Sequence, residues 1–219
     1  MAIVGVSGSP IQGGNTDRVV RSLLEQSGHD HTFVNLSTLD FVSCRGCAHL
    51  CARSNICPLE DDLRPYFEAI LEADALVLAS PVHAGTITAW MFSFLSRIWC
   101  FHHLKNLLED KPLLLVVTAL SPQSEHGAVQ RFEEAIRSWG HNMHHLGTLF
   151  HATEIPPCYK CGVGNACKVG GLWAMVGQDA EKLRNFEVTP DKFKRWEDCP
   201  QTVERVAHYA EMLGKISGA

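Results

Sequence analysis

The chain predicts an α/β fold: a doubly wound parallel sheet, with a cysteine-rich loop inserted in it and a cysteine-rich extension after it. Three observations predict this. Short apolar runs of strand length recur at 2–6, 75–79 and 112–118. Segments with apolar residues at helical spacing separate them. Loops of small and polar residues at 7–16, 80–86 and 119–127 follow the three runs, where a doubly wound sheet places its ligand.

Taken in order, Ala2-Ile3-Val4-Gly5-Val6 reads as a buried parallel strand. Residues 17–26 are then helical, because Val19, Val20, Leu23 and Leu24 fall on one face. His31-Thr32-Phe33-Val34-Asn35-Leu36 alternates and gives the second strand. Residues 37–58 form a long loop, a length that is usually functional. Asp61 and Asp62 are placed to cap a helix over 63–72. The third strand covers 75–79, and a helix covers 87–101. The fourth strand covers 112–118, a helix 129–139, and the fifth strand 143–150. About five strands alternating with helices at short spacing make the sheet five-stranded, parallel and doubly wound. From Glu154 the pattern breaks into a Gly- and Cys-rich segment, and an amphipathic helix over 203–216 closes the chain. The expected organisation is a sheet domain over 1–153, with its cysteine loop at 43–58, and an extension over 154–219.

The loop Ser7-Gly8-Ser9-Pro10-Ile11-Gln12-Gly13-Gly14-Asn15-Thr16 carries the chemistry. Strand, small-residue loop and helix together aim backbone N–H groups and a helix N-terminus at one point, which is an anion site. Ser7, Ser9, Asn15 and Thr16 add side-chain donors. A Walker A loop would need Gly-Lys-Ser/Thr where this chain has Gly14-Asn15-Thr16, and the dinucleotide fingerprint would need glycine where this chain has Pro10. A mononucleotide is left, with flavin mononucleotide (FMN) in a flavodoxin-like fold as the leading case. An ordinary strand-to-helix turn with a Ser/Thr cap remains the alternative. Ser121, in the third loop at the same sheet end, is a further candidate cofactor contact.

Composition narrows the classes. The 219 residues carry a net charge of −5 with no basic block, which disfavours nucleic acid. No apolar run reaches membrane-spanning length, and the first apolar run is already needed as a strand, so neither a membrane anchor nor a signal peptide is expected. The expected location is cytoplasmic. Nine cysteines in a reducing compartment point to metal or redox chemistry rather than to disulfides.

Cys44, Cys47, Cys51 and Cys57 lie within one short segment, and Pro58 follows the last. An Fe–S cluster takes four cysteine sulfurs with the first ones close in sequence. Zinc accepts the same ligands but more often pairs two Cys-x2-Cys hooks, and this segment has one. Cys158, Cys161 and Cys167, with the more distant Cys199, form a weaker second set: a second cluster, a zinc or a structural loop are equally open. Cys100, in an apolar helix, reads as a buried inert thiol.

Gly8-Ser9-Pro10 with Asn15-Thr16, the compact cysteines ahead of Asp61-Asp62, and Ala73-Asp74-Ala75 leading to Ser80-Pro81-Val82 resemble, in that order, the iron–sulfur flavoproteins of anaerobic bacteria and archaea. These belong to the flavodoxin-like NAD(P)H-dependent FMN reductases. The resemblance covers residues 2–150. It implies that Ser7, Ser9, Asn15 and Thr16 hold the FMN phosphate, and that Pro81, Val82, His83, Ala84 and Gly85 lie along the flavin. It implies a 4Fe–4S cluster on Cys44, Cys47, Cys51 and Cys57, and a dimer or tetramer with one subunit's cluster near a neighbour's flavin. Here His83 replaces the usual tyrosine, the middle cysteine gap is one residue longer, and the C-terminal cysteines have no counterpart in the simpler members.

His83 is as readily a surface histidine as a flavin contact, and most other histidines are expected to be solvated. Trp90, Phe92, Phe94 and Trp99 are expected to pack in the core or a subunit interface rather than against flavin. No Ser-His-Asp, Cys-His or paired-carboxylate arrangement suggests hydrolysis, so the chemistry belongs to the cofactors. The expected function is an oxidoreductase passing electrons from ferredoxin or NAD(P)H to a small-molecule or protein acceptor. The rivals are a flavin-only NAD(P)H reductase with structural zinc, and a zinc-stabilised interaction module without turnover.

Overall fold

The computed structural model describes residues 1–153, 162–187, 189 and 194–216. Five strands form one sheet: β1 (Ala2–Ser7), β2 (Asp30–Asn35), β3 (Ala75–Pro81), β4 (Pro112–Ala119) and β5 (His144–Ala152). Their order is β2-β1-β3-β4-β5 and every pairing is parallel. This is the doubly wound order whose switch point lies between β1 and β3.

The helices are α1 (Asn15–Ser27), α2 (Ala48–Cys51), α3 (Tyr66–Glu72), α4 (Ala89–Ile98), α5 (Glu125–Ser138), α6 (Gly171–Met175), α7 (Ala180–Asn185) and α8 (Pro200–Gly214). Both sheet faces are buried, which is why the inner strands read as continuous apolar runs. Val4, Val6, Leu76, Leu78, Leu113, Leu115 and Val117 pack against α3, α4 and α5. Ile3, Ala75, Val77, Ala79, Leu114 and Val116 pack against α1, with Val206, Ala210 and Leu213 of α8 in the same core. None of the described helices is long and apolar enough to cross a membrane.

One local expectation is corrected. Asp61 and Asp62 do not cap α3, whose N-cap is Pro65. Asp62 instead accepts the Asp40 N–H (2.8 Å), and Asp61 pairs with Arg97 on α4 (2.5 Å), so both fasten the long segment after β2. Most histidines face solvent as expected; His141 and His151 are the two buried ones, each 1% exposed. His151 lies at the end of β5 between Thr202 Oγ1 (3.1 Å) and the Lys194 carbonyl (3.3 Å), and burial pushes its pKa down. His141 has no protein partner at either ring nitrogen among the described residues. Burial, with His102 nearby, lowers its pKa to about 4. Of the aromatics on and just after α4, Phe94 is fully buried and Trp99 half-buried, whereas Trp90 and Phe92 are 37% and 41% exposed.

Candidate functional site

Where β1 ends, the chain turns tightly against α4. The Gly8 N–H donates to the Ala79 carbonyl (2.8 Å), and Thr88 Oγ1 donates to the Gly8 carbonyl (2.8 Å). A Cβ on Gly8 would stand 2.8 Å from Thr88 Oγ1 and 3.0 Å from Met91 Cβ, so this approach needs glycine.

Asp17, only 3% exposed, organises the loop from inside. Its carboxylate accepts Ser7 Oγ (2.6 Å), the Gly13 N–H (2.9 Å) and Asn35 Nδ2 (3.0 and 2.9 Å). In the sequence, Asp17 reads as an ordinary acidic residue in a first helical turn, so nothing there marks it as the hub. Gly14 occupies the N-cap of α1 and caps nothing. Among the described residues, the N–H groups of Gln12, Asn15, Thr16 and Asp17 meet no protein acceptor. First-turn N–H groups point out along the helix axis, and an uncapped end leaves them for an external anion. Gly13, at φ +66, leaves open space where a Cβ would stand. These donors fit a phosphate held without metal or lysine.

The four side chains expected to hold that phosphate all lie at this loop, but each is engaged in building it. Ser7 Oγ serves Asp17, and Ser9 Oγ bonds both the N–H and the carbonyl of Ile11 (3.1 Å each). Asn15 donates to the Lys194 carbonyl (3.0 Å) and accepts the Trp196 N–H (3.2 Å), tying the loop to the C-terminal segment. Thr16 Oγ1 shares a hydrogen bond with Thr118 Oγ1 (2.7 Å). Backbone N–H groups remain for an anion, together with the second Nδ2–H of Asn15.

Beside this loop, at the end of β3, Ser80 Oγ accepts the Thr88 N–H (2.9 Å) and the Val82 N–H donates to the Thr118 carbonyl (2.8 Å). Across the Ala84–Gly85 tip, the His83 N–H donates to Thr86 (2.8 Å) and the Thr86 N–H to His83 (3.0 Å). Ala84 and Gly85 both have positive φ, +49 and +76, as in a type I′ turn. Arg131 of α5 donates to the Gly85 carbonyl and holds the tip. Pro81, Val82, His83, Ala84 and Gly85 thus form one ordered turn, linked to the loop after β1 through Thr88. Ser121 caps the short turn Pro122–Ser124 at the end of β4, accepting the Gln123 N–H (3.2 Å).

The cysteine segment lies along α4. Ser43 Oγ meets Ser93 Oγ (2.8 Å), and the Cys44 N–H donates to Ser96 Oγ (3.0 Å). Arg97, 1% exposed, donates Nε to Cys57 Sγ (3.2 Å), Nη1 to the Val42 carbonyl (2.8 Å), and both terminal nitrogens to Asp61 (2.5 and 3.1 Å). Burial alone would raise the Asp61 carboxyl, but Arg97 holds it below its usual range. Cys51 Sγ lies 3.1 Å from His103 Nε2, and the Gly46 N–H donates to Cys44 Sγ (3.4 Å).

Cys44 is exposed, Cys47 half-buried, and Cys51 and Cys57 buried. Among the described residues, no three histidine, cysteine or acidic side chains stand close enough to hold a metal ion. The thiols nonetheless share one neighbourhood. Burial, then the charges of Cys47, Cys57 and Cys44, push the Cys51 thiol up. Four cysteines in one segment are the donor type that an iron–sulfur centre takes. Cys100 is buried, and burial raises its thiol to about 12, as an inert core residue requires.

Cys158 and Cys161 lie outside the described residues. Cys167 Sγ accepts the Gly170 N–H (3.2 Å). Cys199 is the N-cap of α8. Burial pushes its thiol up, but the donors of Thr202 outweigh it and bring it below the ordinary value.

Residues 1–155 match the family described as NADPH-dependent FMN reductase. The chain is 28% identical over 197 residues to an iron–sulfur flavoprotein of Methanosarcina thermophila, covering 88% of this chain and 93% of that one. It is 30% identical over 145 residues to one of Archaeoglobus fulgidus, 64% of each. It is 33% identical over 100 residues to one of Methanocaldococcus jannaschii, 44% of this chain and about half (51%) of that protein. Among solved structures, an NAD(P)H:quinone oxidoreductase from Methanothermobacter marburgensis superposes with a TM-score of 0.58 at 15% identity, covering 100% of this chain and 98% of that one. The azoreductase AzrA does so with 0.56 at 13%, covering 97% and 100%. At such identities these two show the fold, which is flavodoxin-like. The match over residues 1–155, on a sheet of this order, places the chain in the NADPH-dependent FMN reductase family of flavin-dependent oxidoreductases.

Proposed function

We propose that this protein relays electrons between a donor and an acceptor through FMN and a 4Fe–4S cluster on Cys44, Cys47, Cys51 and Cys57. The observation that carries the reading is α4, which is built into both sites. Its N-cap Thr88 holds Gly8 and Ser80 of the flavin loops, while Ser93, Ser96 and Arg97 hold the cysteine segment. Thr88 and Arg97 are nine positions apart, so the two anchor points lie about 14 Å apart along the helix axis. FMN supplies two-electron chemistry that it can release singly, and a cluster carries one electron at a time.

The residues divide the work. The N–H groups of Gln12, Asn15, Thr16 and Asp17 bind the phosphate, and the turn Pro81–Gly85, held by Arg131, orients the ring. Ser43, Cys44 and Cys57 are fixed on α4, so the cysteine segment is anchored at both ends. The relatives that carry the name iron–sulfur flavoprotein support this reading. The donor is ferredoxin or NAD(P)H. Trp90 and Phe92, exposed on α4, are surface that a second copy would cover in a cytoplasmic homodimer or homotetramer.

A second reading, a flavin-only NAD(P)H reductase with structural zinc, draws on the Cys51–His103 contact, since zinc accepts mixed Cys/His sets. The test is oxygen-free reconstitution with iron and sulfide of wild type, Cys51→Ala and Cys57→Ala. Both variants are expected to lose the iron and its broad visible absorbance while keeping FMN. Iron retained in both would overturn the ligand assignment.

A further inference from the structure

We infer that Arg97 and Asp61 form an opposed pair that sets the reduction potential of the centre ligated by Cys57; this rests on the cluster reading above. Among the described residues Arg97 is the largest fully buried side chain, on the last turn of α4. Four of its N–H directions have fixed partners. The guanidinium fork faces the Asp61 carboxylate, Nη1 also reaches the Val42 carbonyl, and the single Nε–H faces Cys57 Sγ at 3.2 Å.

An anchoring arginine would need only the fork and the carbonyl. The remaining donor is placed on a sulfur that is itself 5% exposed, away from competing water. A neutral thiol is a weak acceptor, whereas a thiolate bound to a metal centre is a strong one, and more so after the centre gains an electron. Charge and hydrogen bonds to the sulfurs are among the levers that set cluster potentials. Reduction here adds one electron to the centre. No bond is made or broken, and the proton stays on Nε.

The signs follow directly. Arg97 favours the reduced centre and raises the potential. Asp61, on the far side of the guanidinium, offsets part of that charge and lowers it. Arg97 is therefore a positioning and tuning residue rather than a catalytic one.

The experiment is an oxygen-free redox titration of wild type, Arg97→Lys and Asp61→Asn, following the reduced centre by electron paramagnetic resonance and the flavin by absorbance. Arg97→Lys keeps a charge but loses the directed N–H, so its centre potential falls. Asp61→Asn removes the offsetting charge, so its potential rises. The flavin potential stays in place in both. Loosening of the cysteine segment would move both variants alike, so shifts of the same sign, or none, overturn the inference. Because either variant could fail to fold, wild type grown on nitrogen-15 arginine supplies a second readout. The reduced centre is expected to show a weak coupling to one arginine nitrogen, and its absence overturns the inference independently. Wild type with FMN but no iron would instead overturn the cluster reading, and this inference with it.

Discussion

Gly8→Ala probes the joint between β1 and α4 most sharply. The added methyl would stand 2.8 Å from Thr88 Oγ1, 3.0 Å from Met91 Cβ and 3.3 Å from the Met91 backbone nitrogen. Thr88 can rotate away, but only by leaving the Gly8 carbonyl and the Met91 N–H it caps (3.3 Å). Met91 is fully buried on α4, so its backbone cannot yield without moving the helix. Overpacking of this kind costs about 1–3 kcal/mol, and the weakened cap adds up to about 1. Gly13→Ala is the control. It meets no atom within 4 Å, so its penalty is confined to the left-handed φ of +66, about 1 kcal/mol. Urea unfolding of the flavin-free protein measures the first quantity, and FMN titration by fluorescence quenching measures the second. Gly8→Ala is expected to lose more stability than Gly13→Ala and at least about tenfold in FMN affinity, equivalent to about 1.4 kcal/mol. If Gly8→Ala folds and binds FMN like wild type, the account of this loop is wrong.

Other consequences concern stability and the C-terminal segment. His141 titrates near 6.5 when unfolded but only at about 4 when buried, so folded protein refuses a proton that the unfolded chain takes. Its stability contribution is fully present above pH 6.5 and is lost as pH falls toward 4, by about 3 kcal/mol in all. His141→Leu should flatten that acid limb in urea melts at a series of pH values; an unchanged limb would contradict it. Asn15→Ala leaves the Trp196 N–H unpaired and removes two of the ties between residues 194–197 and α1, leaving the Arg18–Glu197 ion pair (2.6 Å) in place. The expected cost is about 1–2 kcal/mol, with faster proteolysis in that segment, and wild-type proteolysis would show that Asn15 does not hold it.

The sheet was legible because parallel strands covered on both faces are apolar throughout: Ile3 to Val6, Ala75 to Ala79 and Leu113 to Val117 stand out without any partner information. The loop after β1 was legible as a loop, but not its internal hydrogen bonding. Ser7, Ser9, Asn15 and Thr16 are the residue types that bind phosphate, and they are equally the types that bond their own backbone and neighbours, as they do here. Asp61 was misread because an acidic residue before a helix resembles a cap, while its partner Arg97 lies 36 residues away. Long-range pairing has no local pattern. For the same reason, nothing in Ser93-x2-Ser96-Arg97 shows that these residues hold the cysteine segment, and nothing around His141 predicts its burial.

The central claim is that one helix joins a flavin site to an iron–sulfur site. A count of iron, sulfide, zinc and flavin on protein purified without oxygen tests it most directly. The account predicts one FMN with about four iron and four sulfide for each chain, at Cys44, Cys47, Cys51 and Cys57. FMN with zinc and no iron would contradict the relay and leave a plain flavin reductase.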